Sequence, residues 1–89
     1  MSFSERVFIG HVPDVTTSKG QPFRTDMAGM YYHDIKQCRY MCEINGGKNR
    51  PFYIEERLYY PFNDENDRLG KVVKVHQFNE KQKEGKALT

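Results

Sequence analysis

Apolar and polar positions alternate in several short runs along this chain, and that two-residue period predicts strands. The first run, Arg6 to Val12, alternates only weakly but is rich in Val, Phe and Ile, and Pro13 is expected to end it because it cannot donate to a ladder. Residues 13–26, PDVTTSKGQPFRTD, combine Pro, Gly, Ser and Thr and read as a long loop. A second clear run is 51–60, PFYIEERLYY. It sets Phe52, Ile54, Leu58 and Tyr60 on one parity and Tyr53, Glu55, Arg57 and Tyr59 on the other. Pro61 closes it, NDENDRLG (63–70) is a polar turn, and KVVKVHQF (71–78) is a last strand with Val73 and Val75 facing one way.

The stretch DMAGMYYHDIKQCRYMCEINGG admits two readings. As a helix, Met27, Met30, Tyr31, Ile35, Cys38, Met41 and Cys42 share a face, Thr25 or Asp26 caps the start, and Asn45-Gly46 stops it. As a strand, Cys38, Tyr40, Cys42 and Ile44 alternate with Gln37, Arg39, Met41 and Glu43. Tyr and Ile favour strand, and NGG is a tight-turn signal before the 51–60 run. On those grounds 37–44 is expected to be a strand folded back on 51–60 as a β-hairpin, with one more strand possible near 29–34. The predicted class is mainly β or α+β. It is a small antiparallel sheet or partly open barrel of four to five strands, with room for one short helix. Residues 1–79 would form one domain and 80–89 a frayed, charged tail.

Composition sharpens the class. The chain has 89 residues, 37% of them apolar and 13% aromatic, so a few large side chains must build the core. Net charge is only +2, with signs interleaved, which does not forecast unspecific attraction to DNA or to an anionic membrane. No apolar run is long enough to span a bilayer. The opening MSFSERVF lacks the plan of a secretory signal, so a cytoplasmic protein is expected, or one of the host cytoplasm if a phage encodes it.

Residues 6–17, RVFIGHVPDVTT, resemble the first strand and turn of an RNA-recognition motif. That family implies an amphipathic helix next and a second aromatic strand motif later. Here Ser18-Lys19-Gly20-Gln21-Pro22 breaks a helix, and no segment matches the second motif. The resemblance therefore carries no RNA-binding residue onto this chain.

Candidate chemistry is sparse. His33, Cys38, Cys42 and His76 are a conceivable zinc set. On a helix the two thiols are neighbours; on a strand their Cα atoms stand about 13 Å apart, too far for one ion. With strand preferred, neither a metal nor another cofactor is expected. DENDRLG looks like a calcium loop but has Arg68 at the fifth place and Val75 at the twelfth, where the pattern needs oxygen ligands. Glu55 and Glu56 point to opposite faces of a strand, a poor acid–base pair. No nucleophile, base and oxyanion donor come together in the sequence, so a non-enzymatic protein is expected.

Two features suggest binding. The tip NGGKNR places Lys48 and Arg50 beside Asn45 and Asn49, with Lys36 and Arg39 on the expected neighbouring strand. Tyr53 and Tyr59 fall on the parity opposite Phe52 and Leu58, and Tyr beside Arg is a composition favoured at interface hot spots. The expected function is that of a small binding protein occluding a protein or ribonucleoprotein surface, with contact to RNA or DNA phosphates possible. A phage- or mobile-element-encoded inhibitor of a host nucleic-acid machine, of the anti-CRISPR kind, is its concrete form. The alternative is a single-stranded RNA- or DNA-binding β module that stacks bases on Tyr. Oligomeric state is not legible.

Overall fold

The structure, a computed structural model, describes residues 3–80. It is an open sheet of four antiparallel strands in the order β2-β1-β3-β4, with one short helix on one face. The strands are β1 (Glu5–Thr16), β2 (Pro22–Arg24), β3 (Phe52–Tyr59) and β4 (Leu69–Phe78), and the helix is α1 (Ile35–Cys42). The predicted class therefore holds, and so do the runs at 6–12, 51–60 and 71–78. The expected tail lies mostly outside the described residues.

β1 does not stop at Pro13. It continues to Thr16 through a register shift between Val12 and Thr16, the kind of irregular site where a strand tolerates proline. Residues 13–26, expected as loop, thus complete a hairpin. Thr17 N donates to Gln21 O at 2.7 Å across its turn, and Gly20 sits there at φ +81°. Past β2 the chain keeps to the edge of β1. Thr25 N donates to Gly10 O at 2.9 Å, and Phe8 and Tyr32 exchange both backbone bonds at 2.7 and 3.1 Å. The possible fifth strand near 29–34 is only this single Phe8–Tyr32 bridge, preceded by a 3₁₀ turn at Met27–Gly29.

The main correction concerns 37–44, which is helix and not strand. Asp34 caps α1, its carboxylate accepting from Lys36 N at 3.1 Å. The helix passes into a wider turn at Glu43–Gly47, where Gly46 takes φ +110° and ends it. The NGG segment is a helix terminator, no hairpin joins 37–44 to 51–60, and β3 pairs instead with β1 and β4. The physical reason is burial. Cys38 and Cys42, one turn apart, both reach 0% exposure against the sheet, whereas a strand would place their Cα atoms about 13 Å apart.

The core sits between α1 and the sheet, where Val12, Tyr32, Cys38, Cys42, Phe52 and Ile54 form one buried cluster. Phe52 stacks on Phe78, ring centroids 4.9 Å apart. Gly10 makes the close approach possible, because a Cβ there would stand 2.1 Å from Cys42 Sγ. Val7 and Ile9 have the opposite parity and are buried on the other face. β4 is irregular: Glu56 pairs with Lys74 but Arg57 with Val72, which leaves Val73 in a bulge. The bulge breaks the alternation of β4 between Val72 and Lys74.

Candidate functional site

With Cys38 and Cys42 turned inward, helical geometry turns Lys36, Tyr40 and Ile44, spaced by four, outward along one stripe. Tyr40 is 58% and Ile44 56% exposed, a large apolar outlay for a chain so poor in apolar residues. Arg39 flanks the stripe on the β4 side, its guanidinium 4.8 Å over the Phe78 ring and its Nε 3.3 Å from Glu43. On the other flank a hollow of about 410 Å³ opens between α1, β2 and the 3₁₀ turn. Val15, Phe23, Met27, Met30, Tyr32 and Met41 supply its apolar lining. Methionine adapts its shape readily, which suits a surface that receives a partner's side chains.

The turn after α1 extends this surface. Lys48, Asn49 and Arg50 are exposed there, and Arg50 donates to Asp14 O at 3.2 Å. Asn79, just past β4, holds the turn by donating to Gly47 O at 2.9 Å, Lys48 O at 3.3 Å and Arg50 O at 3.2 Å. Asn45 lines the hollow and is anchored by its own bond to Met41 O at 2.8 Å. Of the predicted basic residues, Lys36 and Arg39 lie on the helix and Lys48 and Arg50 on its exit turn, rather than on a strand and a hairpin tip. Lys36 and Lys48 have no ion-pair partner among the described residues.

Tyr53 and Tyr59 do not join them. Both lie on the sheet face away from α1 and already have aromatic partners. Tyr53 stacks on His11 with centroids 4.6 Å apart and planes 10° apart, and Tyr59 packs on Tyr31 at 4.7 Å. The hydrogen bond to Tyr59, aided by burial, raises the Tyr31 hydroxyl from 10.0 to about 12. His11 in turn lies 3.2 Å from Glu55.

The conceivable zinc set does not converge. His33 Nε2 stands 3.2 Å from Glu5, and His76 Nε2 2.8 Å from Glu56. The two cysteines are free and buried in the core, where the Cys42 thiol is pushed well above its ordinary value by its hydrogen bond to Cys38 and then by burial. Thr25 Oγ1 lies 3.7 Å from Cys38 Sγ. Among the described residues no group of three or more His, Cys, Asp or Glu side chains is placed to hold a metal ion. Glu55 and Glu56 point to opposite faces, as alternation requires. Glu55 meets His11 and Arg57, while Glu56 meets Arg6 at 2.6 Å and His76 at 2.8 Å. No helix of the described residues is long and apolar enough to cross a membrane.

Sequence reasoning missed Tyr40, Ile44 and the methionine-lined hollow as site residues. Their signal was the four-residue spacing of the helical reading, which turns Tyr40 and Ile44 outward once Cys38 and Cys42 are inside. No protein-family model, no curated protein and no solved structure matches the chain.

Proposed function

We propose that the chain is a small non-enzymatic binding protein that docks on a partner through the outer surface of α1. Tyr40 and Ile44 serve as anchors, the methionine-lined hollow receives an apolar side chain of the partner, and Lys36, Arg39, Lys48 and Arg50 complement acidic groups around it. The observation that carries this reading is the exposure of Tyr40 at 58% and Ile44 at 56%, beside Arg39 and the hollow. Aromatic and arginine anchors in a partly apolar patch with a charged rim have the composition of an interface. The mode of action is occlusion of a protein or ribonucleoprotein surface. In its concrete form the protein is a phage- or mobile-element-encoded inhibitor of a host nucleic-acid machine, of the anti-CRISPR kind. Small size and interleaved charge support that form. The nucleic-acid-binding alternative draws less support, because Tyr53 and Tyr59, which would stack on bases, are already engaged with His11 and Tyr31.

The test begins with the tagged protein as bait in extracts of its native host, followed by titration of the captured, purified partner. Tyr40→Ala with Ile44→Asp should weaken that complex by about 2 kcal/mol or more and leave the fold intact. Lys48→Glu with Arg50→Glu should weaken it less and mainly slow association. If both variants fold and bind the partner normally, the α1 surface is not the interface. Tight binding of free labelled RNA or DNA that weakens steeply with salt would favour the nucleic-acid reading instead.

A further inference from the structure

β4 is an edge strand with an open side. Among the described residues it pairs only with β3, so the outer row of N–H and C=O groups along Leu69–Phe78 meets no other strand. The strand also exposes a row of apolar side chains, Leu69 at 40%, Val72 at 38%, Val73 at 36% and Val75 at 45%. Past the bulge at Val73, the register runs unbroken from Lys74, opposite Glu56, to Phe78, opposite Phe52. A regular ladder edge of this kind is a template for an added strand.

Charge decides what kind of strand fits. Lys71 and Lys74 are exposed and have no ion-pair partner among the described residues. Lys74, His76 and Phe78 point to the helix side, where Arg39 lies over Phe78. Arg39 meets Glu43 through Nε, and a guanidinium has further donors to offer. Val75 points to the opposite side, as does Val72, which pairs with Arg57. Self-pairing of β4 would crowd two lysines from each copy into one short stretch, and like charges in close cross-strand positions are destabilising.

We infer that the outer edge of β4 receives an extended acidic segment of a partner protein as a fifth strand, its acidic side chains toward Lys74 and Arg39 and its alternate apolar ones toward Val72 and Val75. Main-chain hydrogen bonds supply affinity, and the alternation of acid and apolar residue supplies specificity. The edge shares Arg39 with the rim of the Tyr40–Ile44 stripe but neither Tyr40 nor Ile44, so Tyr40→Ala and the β4 substitutions test the two surfaces separately.

The probe is a short fluorescein-labelled peptide alternating glutamate and valine, with a lysine–valine peptide as control, titrated against the full chain. Binding is expected in roughly the micromolar range and should weaken as salt rises. On the wild-type protein, amide shift changes should concentrate in 72–78. Lys74→Glu with Val75→Glu should weaken binding by about tenfold or more, while Tyr40→Ala leaves it unchanged. The inference is overturned by no binding by the wild-type chain, by equal binding of the lysine–valine peptide, or by shift changes that avoid β4. Concentration-dependent dimerisation of the wild-type protein that the β4 variant abolishes also overturns it, because the edge would then belong to a second copy. The amide mapping needs no variant and decides the matter even if the double substitution impairs folding.

Discussion

At Gly10 a single missing side chain decides how close α1 lies to the sheet. A methyl group there would meet Cys42 Sγ at 2.1 Å, Thr25 Cγ2 at 3.2 Å and Cys38 Sγ at 3.3 Å, and all three neighbours are buried. The Gly10 backbone is also held in place, since its N donates to Thr25 Oγ1 at 2.7 Å and its O accepts from Thr25 N at 2.9 Å. Gly10→Ala should therefore cost about 1–3 kcal/mol, as overpacking of a tight core does. Denaturant unfolding measures it, and adding Cys42→Ala should recover part of the loss, since the two sites are in contact. An unchanged unfolding midpoint would mean that α1 does not rest on β1 at Gly10. In the sequence Gly10 is one more residue of a strand, and nothing marks it as a contact point with a helix 30 positions away in the chain.

Elements differ in how far their own residues specify them. β3 alternates, while β1 and β4 alternate only weakly but are rich in Val, Ile and Phe, so propensity marks all three as strands. α1 has eight residues, too few to be stable as an isolated helix. Its Tyr and Cys residues give it no strong propensity of its own, and over so short a span the two-residue and four-residue patterns overlap. What tips it is local at one end and remote at the other. Asp34 satisfies the first turn, and burial of Cys38 and Cys42 over Gly10 holds the rest. Asp34→Ala should lower stability by about 1 kcal/mol, read from the denaturation midpoint. A neutral result would place the whole preference for helix in the tertiary contacts.

Across the molecule, the polar side chains are organised by the two faces of β3. Glu56 faces the helix side, where His76 and Arg6 hold it, and Glu55 the other, where it meets His11 and Arg57. The hydrogen bond from His76, and then that from Arg6, holds the Glu56 carboxyl below its ordinary 4.5 against an opposing effect of burial. A carboxyl lowered in the folded state contributes stability above its unfolded value and loses it as pH falls through the folded one. Stability should thus decline below about pH 4.5, and Glu56→Gln should flatten that decline while lowering stability near neutral pH. Thermal melts across an acid series compare the two proteins; identical pH profiles would show that Glu56 carries no net linkage.

By itself the sequence determined the class of fold, the three long strands and the opposite facing of Glu55 and Glu56, because those follow from a period that each segment carries within itself. It also supplied the basic residues Lys36, Arg39, Lys48 and Arg50, but not their placement on a helix and its exit turn. Only the tertiary structure decided that α1 is a helix, that β1 continues past Pro13, that Tyr53 and Tyr59 are occupied by His11 and Tyr31, and that Tyr40 and Ile44 face outward. The physical reason is that a short segment with two compatible periods takes the one that buries more against its neighbours, and here those neighbours come from strands distant in the chain.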